Sequence, residues 1–167
     1  TEDTIYRIYS MTKPVTGVAL MMLYEEGAFT LDDPVTKFVP EFANLKVLDG
    51  VDENGAPVLA DPNHVPTMRE VMTHTAGFAY GLFGDDIANK AFRDELILYS
   101  PDLDVFIDKV ADVPLLFQPG TAWSYSASVD VQGYIVQEIS GMRFGDFLQA
   151  RLFAPLGMTD TGFYVPE

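Results

Sequence analysis

Between Met11 and Glu26 the apolar side chains return at steps of three and four: Val15, Val18, Ala19, Met22 and Leu23. That spacing draws one stripe along a helix, and Gly27 supplies a left-handed stop after it. Pro14 falls in or just after the first turn, where a missing N–H costs least. Ahead of this helix, Thr4 to Tyr9 is β-branched and aromatic with rough alternation, which predicts a short strand ending at Ser10. Leu31 to Pro34 reads as a turn, Val35 to Phe38 as a short helical stretch closed by Pro40, and residues 44 to 66 as a surface loop or small hairpin. Thr67 and Glu70 form a capping box for a helix from Met68 to His74, stopped at Gly77. Further helices are predicted within Asp85 to Tyr99, over Asp102 to Ala111, over Ser128 to Ser140 and over Phe144 to Phe153. About seven helical segments thus stand against one or two strands, with no repeat and no linker, so residues 1–167 read as a single domain.

Composition narrows the function more than the fold. Hydrophobic residues make up 48% and charged residues 21%, an ordinary globular balance that excludes a disordered or fibrous chain. Ten Lys and Arg against 25 Asp and Glu give a net charge of −15, the wrong sign for gripping phosphates, so no nucleic-acid partner is expected. The longest apolar run, Val18 to Leu23, is far short of the ~20 residues that span a bilayer, and Glu25 and Glu26 follow it, so no membrane span is expected. No secretory signal is visible, which favours a cytoplasmic location. With no cysteine, a thiolate nucleophile and a thiolate metal site are excluded. His64 and His74 are ten apart and lack partners for a zinc site, so neither metal nor cofactor is expected. His74, at a helix end, reads as a capping or packing residue.

One run carries chemistry. A serine hydroxyl is a poor nucleophile until a neighbouring base takes its proton. In Ser10-Met11-Thr12-Lys13 the two specified residues lie three apart at a helix start, on one face, so the Lys13 amine reaches the Ser10 hydroxyl. Burial could bring such a lysine toward neutrality and make it the base, and the backbone N–H of Ser10 would supply half of an oxyanion hole. Four residues with two specified also arise by chance as a helix cap and a solvated lysine. The long apolar helix after Ser10 and the later Pro119-Gly120-Thr121-Ala122-Trp123-Ser124-Tyr125-Ser126 segment favour the catalytic reading.

These segments together resemble one family: the class C serine β-lactamases, the D-Ala-D-Ala carboxypeptidases and the esterases similar to them. Gly27 to Val35, Met72 to Gly77 and Pro155 to Thr161 extend the resemblance nearly end to end. It implies an α+β, β-lactamase/transpeptidase-like fold, of which this chain is mainly the helical lobe with few strands of the sheet. It also implies Ser10 as acylated nucleophile, Lys13 as its base or proton relay, and Tyr125 as the hydroxyl that exchanges protons with both. Tyr80, Phe83 and Ser126 are pocket candidates.

Two departures refine the expectation. Where the lactamases and peptidases of this group have Tyr-x-Asn, Tyr125-Ser126 is followed by Ala127, which cannot hold a substrate amide; the run to Asp130 looks more like the family's carboxylesterases. The resemblance therefore implies a serine hydrolase of small or short-chain carboxylic esters. A β-lactamase or D-Ala-D-Ala carboxypeptidase, with a lactam or peptide substrate, an acyltransferase with the same nucleophile, and a non-catalytic binding protein remain the alternatives. The family's third motif (Lys-Thr-Gly, His-x-Gly or Trp-x-Gly) has no counterpart after Tyr125. The chain is therefore expected to be an internal segment, lacking the N-terminal strands and the C-terminal sheet.

Overall fold

A computed structural model describes residues 4–164. Its framework is two long helices in contact, α1 (Thr12–Glu25) and α5 (Ser128–Ser140), with shorter elements around them. From α1 the face Thr16, Ala19, Leu20 and Leu23 is buried. From α5 the buried set is Ser128 and Val131 to Val136, nearly the whole circumference. A helix apolar on one stripe would not need this. The reason is that α5 also touches α2 (Met68–Met72), α4 (Leu103–Ala111) and α6 (Phe144–Leu148), so each of its sides meets a neighbour. Each fully buried Leu or Ile here, such as Leu20 and Ile135 at 0% exposure, contributes about 1.5–3 kcal/mol of transfer free energy.

Local rules set the element ends. Thr67 caps α2, accepting from the Glu70 N–H at 3.3 Å while the Glu70 carboxylate accepts from the Thr67 N–H at 2.8 Å. Asp86 caps α3 (Ile87–Asp94) and Asp102 caps α4 in the same way, each accepting from the N–H three residues on. At Gly133 of α5 an added Cβ would lie 3.2 Å from the Phe144 ring, so glycine lets α6 approach closely. The helix α6 continues into a π-helical turn over Gln149–Phe153.

The region read as loop or hairpin is a hairpin: β1 (Val47–Val51) pairs antiparallel with β2 (Pro57–Ala60). It is the one sheet among the described residues. Two expectations are corrected. Thr4 to Tyr9 forms no strand; residues 4 to 8 are irregular and Tyr9–Met11 is a 3-10 turn. With no strand beside it, Ile5 and Tyr6 stay 53% and 73% exposed, and the β propensity of such side chains has no surface to act on. The short helical stretch forms as a 3-10 turn over Val35–Lys37, but Pro40 does not end the helical region: after Phe38 and Val39 it opens a further 3-10 turn, Pro40–Asn44, because proline suits the first position of a helical turn as well as it ends a preceding one. No helix of the described residues is long and apolar enough to cross a membrane.

Candidate active site

Ser10 comes from the 3-10 turn ahead of α1, and Lys13 from the first turn of α1 itself. The Lys13 Nζ donates to the exposed Ser10 Oγ at 3.3 Å and to the Tyr80 hydroxyl at 3.4 Å. Tyr9, immediately before Ser10, has φ +43°, a left-handed backbone that bulky side chains avoid and that persists only where its surroundings impose it.

Tyr125 arrives from more than a hundred residues away, and backbone pairing explains how. Residues 115 to 127 run alongside residues 74 to 79: the N–H groups of Leu116, Gly120, Ser124 and Ala127 donate to the carbonyls of Gly77, Thr75, His74 and Ala79 at 2.7–3.1 Å. Gly77 (φ +95°) is required at the closest approach, since a Cβ there would sit 2.6 Å from the Phe117 carbonyl oxygen. Laid down this way, Tyr125 donates its hydroxyl to the Ser10 Oγ at 2.6 Å. Its ring lies edge-on to Tyr80 and flat against His74, with centroids 5.5 Å and 5.3 Å away, and the Lys13 ammonium is 4.6 Å from its centre.

The electrostatics follow from this cluster. Burial by itself would lower the Lys13 ammonium, but its hydrogen bonding with Tyr125 and the attraction of Tyr80 outweigh that and hold it above its usual value. The sequence leaves open whether burial brings this lysine toward neutrality; here the side chain is only partly buried, and two phenols face it. Tyr125 moves the other way. Lys13 first, and the Ser10 hydroxyl second, pull its phenol below the ordinary range. Burial pushes Tyr80 up, reinforced by Asp130. Burial likewise raises the Asp130 carboxyl, against the pull of Lys13. Of Lys13, Tyr80, Asp130 and Tyr125, only Tyr125 is thus made easier to deprotonate.

Ser10 and Lys13 open onto a cavity of about 410 Å³, whose wall includes Tyr80, Leu82, Leu103, Val129, Asp130, Phe144 and Phe163. A volume of this order suits a small organic molecule. Of the pocket candidates, Tyr80 lines it. Phe83 does not; it is 64% exposed, and Leu82 takes the wall position instead. Ser126 is 1% exposed and turned inward, its hydroxyl within hydrogen-bond distance of His74 and Ser128. Tyr80 is itself held from behind: Asn89, buried in α3, accepts from the Tyr80 and Gly81 N–H groups at 3.1 and 2.9 Å. Among the described residues no group of three or more His, Asp or Glu is gathered to hold a metal; His64 instead pairs with Glu70 at 2.9 Å.

The family model described as Beta-lactamase matches residues 1–167. The chain belongs to the beta-lactamase family. Within that family it is 35% identical to esterase EstB of Burkholderia gladioli, an alignment covering 99% of this chain and 40% of EstB. It is 30% identical to a monacolin J acid methylbutanoyltransferase of Aspergillus terreus, over 99% of this chain and 39% of that protein. Among solved structures, a mutant of simvastatin synthase (LovD) from Aspergillus terreus superposes with a TM-score of 0.81 at 30% identity, covering 98% of this chain and 41% of that one. The β-lactamase/transpeptidase-like fold expected from the sequence is therefore the fold present. The chain spans about 40% of the length of these relatives.

Sequence reasoning missed two residues here. Asp130 entered it only as part of an esterase-like run, and His74 was discounted. A signal for His74 was in the sequence, since Met72 to Gly77 carries part of the family resemblance, but its partners lie some fifty residues on.

Proposed function

We propose that this chain carries the nucleophile and proton-transfer groups of a serine hydrolase that cleaves small or short-chain carboxylic esters through an acyl-enzyme. The observation that carries this reading is the convergence of Tyr125, at 2.6 Å, and Lys13, at 3.3 Å, on one exposed Ser10 Oγ at the mouth of a cavity. With the Tyr125 phenol lowered and Lys13 kept as ammonium, the phenolate takes the Ser10 proton as Oγ bonds to the ester carbonyl carbon. The carbonyl oxygen becomes the oxyanion, with the Ser10 N–H as one donor. When the ester C–O bond breaks, the proton passes from Tyr125 to the departing alkoxide. Water then attacks the acyl-serine, giving its proton to Tyr125, and the acid is released as Ser10 regains a proton. Ala127, fully buried and without an amide, supports an ester over a lactam or peptide. Transfer to an alcohol would need only a different nucleophile in the second half, and relatives named as esterase and as methylbutanoyltransferase favour keeping this second reading.

A fluorophosphonate probe applied to the full-length protein, with the labelled peptide read by mass spectrometry, tests the assignment. Label at Ser10, with a burst on p-nitrophenyl acetate, is expected; a folded protein unlabelled at Ser10 would overturn it. Adding butanol to the ester assay separates the two second halves, because transfer yields butyl acetate and hydrolysis acetate. Asp130 offers a finer check. Its negative charge opposes ionisation of Tyr125, so Asp130→Asn is expected to shift the acid limb of the kcat/KM profile to lower pH.

A further inference from the structure

We propose that His74 is the positioning residue for Tyr125, gripping the backbone on both sides of it and stacking on its ring. The inference rests on the reading that Tyr125 moves the Ser10 proton. The His74 carbonyl accepts from the Ser124 N–H at 3.0 Å, and its Nδ1 accepts from the Ser126 N–H at 3.2 Å. Between these two bonds lies Tyr125, whose ring is 5.3 Å from the imidazole at an interplanar angle of 15°. One residue therefore fixes the residue before Tyr125, the residue after it, and the plane of its ring.

Four further observations point the same way. An N–H donor aimed at Nδ1 requires that nitrogen to be unprotonated, which assigns the tautomer with the proton on Nε2. Burial first, and the Lys13 ammonium second, keep the ring neutral by lowering it from its usual value. The Ser126 hydroxyl, 3.1 Å from Nδ1, is also 2.8 Å from the Ser128 hydroxyl at the first position of α5, and both serines are buried. The clamp is thereby tied to the central helix. Finally, His74 has φ +60°, a backbone that glycine adopts at no steric cost and a side chain only at some. Among the described residues only Tyr9, His74 and Leu96 are non-glycine residues of this kind, and two of the three stand beside Ser10 and Tyr125. His74 makes no hydrogen bond to Ser10 or Lys13, so its effect on the reaction passes through Tyr125.

The test compares full-length wild type, His74→Gly and His74→Asn. Glycine relieves the left-handed backbone and removes the imidazole, with its Nδ1 acceptor and stacked ring, while the carbonyl bond to Ser124 stays; asparagine tolerates that backbone and keeps a short acceptor but no ring. Besides the His74 imidazole itself, the titratable and charged groups facing the Tyr125 phenol are Lys13 from α1, Tyr80 from the loop before α3 and Asp130 from α5, and neither substitution alters those three. His74→Gly is expected to keep its thermal midpoint while the Ser10 labelling rate and kcat fall about 100-fold, the scale of a 1 Å misplacement. KM should change little. The acid limb should move to higher pH as Tyr125 draws away from Lys13, and His74→Asn should recover part of both effects. A merely structural histidine would lower the midpoint and leave the limb where it was. Labelling of His74→Gly at the wild-type rate with an unmoved limb would overturn the inference; should that variant unfold, the same result in His74→Asn would do so. An unlabelled wild type would instead sink the serine-hydrolase reading, a distinct failure.

Discussion

Tyr125→Phe in the full-length protein is expected to lower kcat/KM for a short-chain p-nitrophenyl ester by about 10³-fold, within the range that a positioned general acid or base contributes, while the folded structure is kept. The expectation follows from how little else the hydroxyl does. It donates to Ser10 Oγ at 2.6 Å and faces the Lys13 ammonium, and the ring contacts with His74, Tyr80 and Trp123 do not involve it. A phenylalanine keeps that packing, so circular dichroism and thermal midpoint should match wild type. What is lost is the group that, in the proposed mechanism, takes the Ser10 proton and protonates the leaving alkoxide. Fluorophosphonate labelling at Ser10 should slow by a similar factor. A variant within a few-fold of wild type on both measures would show that Tyr125 is only a packing residue beside Ser10, and would return the base role to Lys13.

The sequence made the helical frame legible because its signals there are local. Ser128 to Ser140 was bounded by periodicity and a following glycine, and α5 has those bounds. The Thr67 and Glu70 capping box was readable three residues apart, and both of its hydrogen bonds form. The Ser10 and Lys13 spacing belonged to the same class of signal, since one turn of helix brings the two together. Errors arose where the outcome depended on a distant partner. Thr4 to Tyr9 has strand composition but no strand beside it among the described residues. Phe83 and Leu82 are adjacent in sequence, and only the fold decides which one faces the cavity. Ser126 follows Tyr125 directly, yet the pairing that directs the tyrosine outward turns its neighbour in toward His74 and Ser128. Tyr125 could be named from its flanking residues, whereas the reason it reaches Ser10, a run of backbone bonds between residues 74–79 and 115–127, had no counterpart in any local pattern.

Lys13→Met should separate the two candidate roles of the lysine. Methionine keeps much of the apolar stem but removes the charge, so the partly buried position stays filled. If the ammonium acts as the electrostatic partner of Tyr125, its removal takes away the first cause of the lowered phenol. The sign follows directly: a cation beside the phenol stabilises phenolate, so without it Tyr125 titrates at higher pH. The acid limb of kcat/KM should then shift upward in pH, with a loss of about 10³-fold at neutral pH that is partly recovered in alkaline buffer. A lysine acting instead as the sole base predicts a loss that no increase in pH repairs, because a thioether in its place offers no proton acceptor at any pH. Opposite displacements of the limb in Lys13→Met and Asp130→Asn, one deleting the positive and the other the negative neighbour of the same phenol, would identify Tyr125 as the group whose ionisation the profile reports. The geometry also gives an order to the two effects. Lys13 lies 4.6 Å from the Tyr125 ring and is hydrogen-bonded to Ser10, whereas Asp130 acts on the phenol more weakly than Lys13, so the lysine substitution should move the limb further.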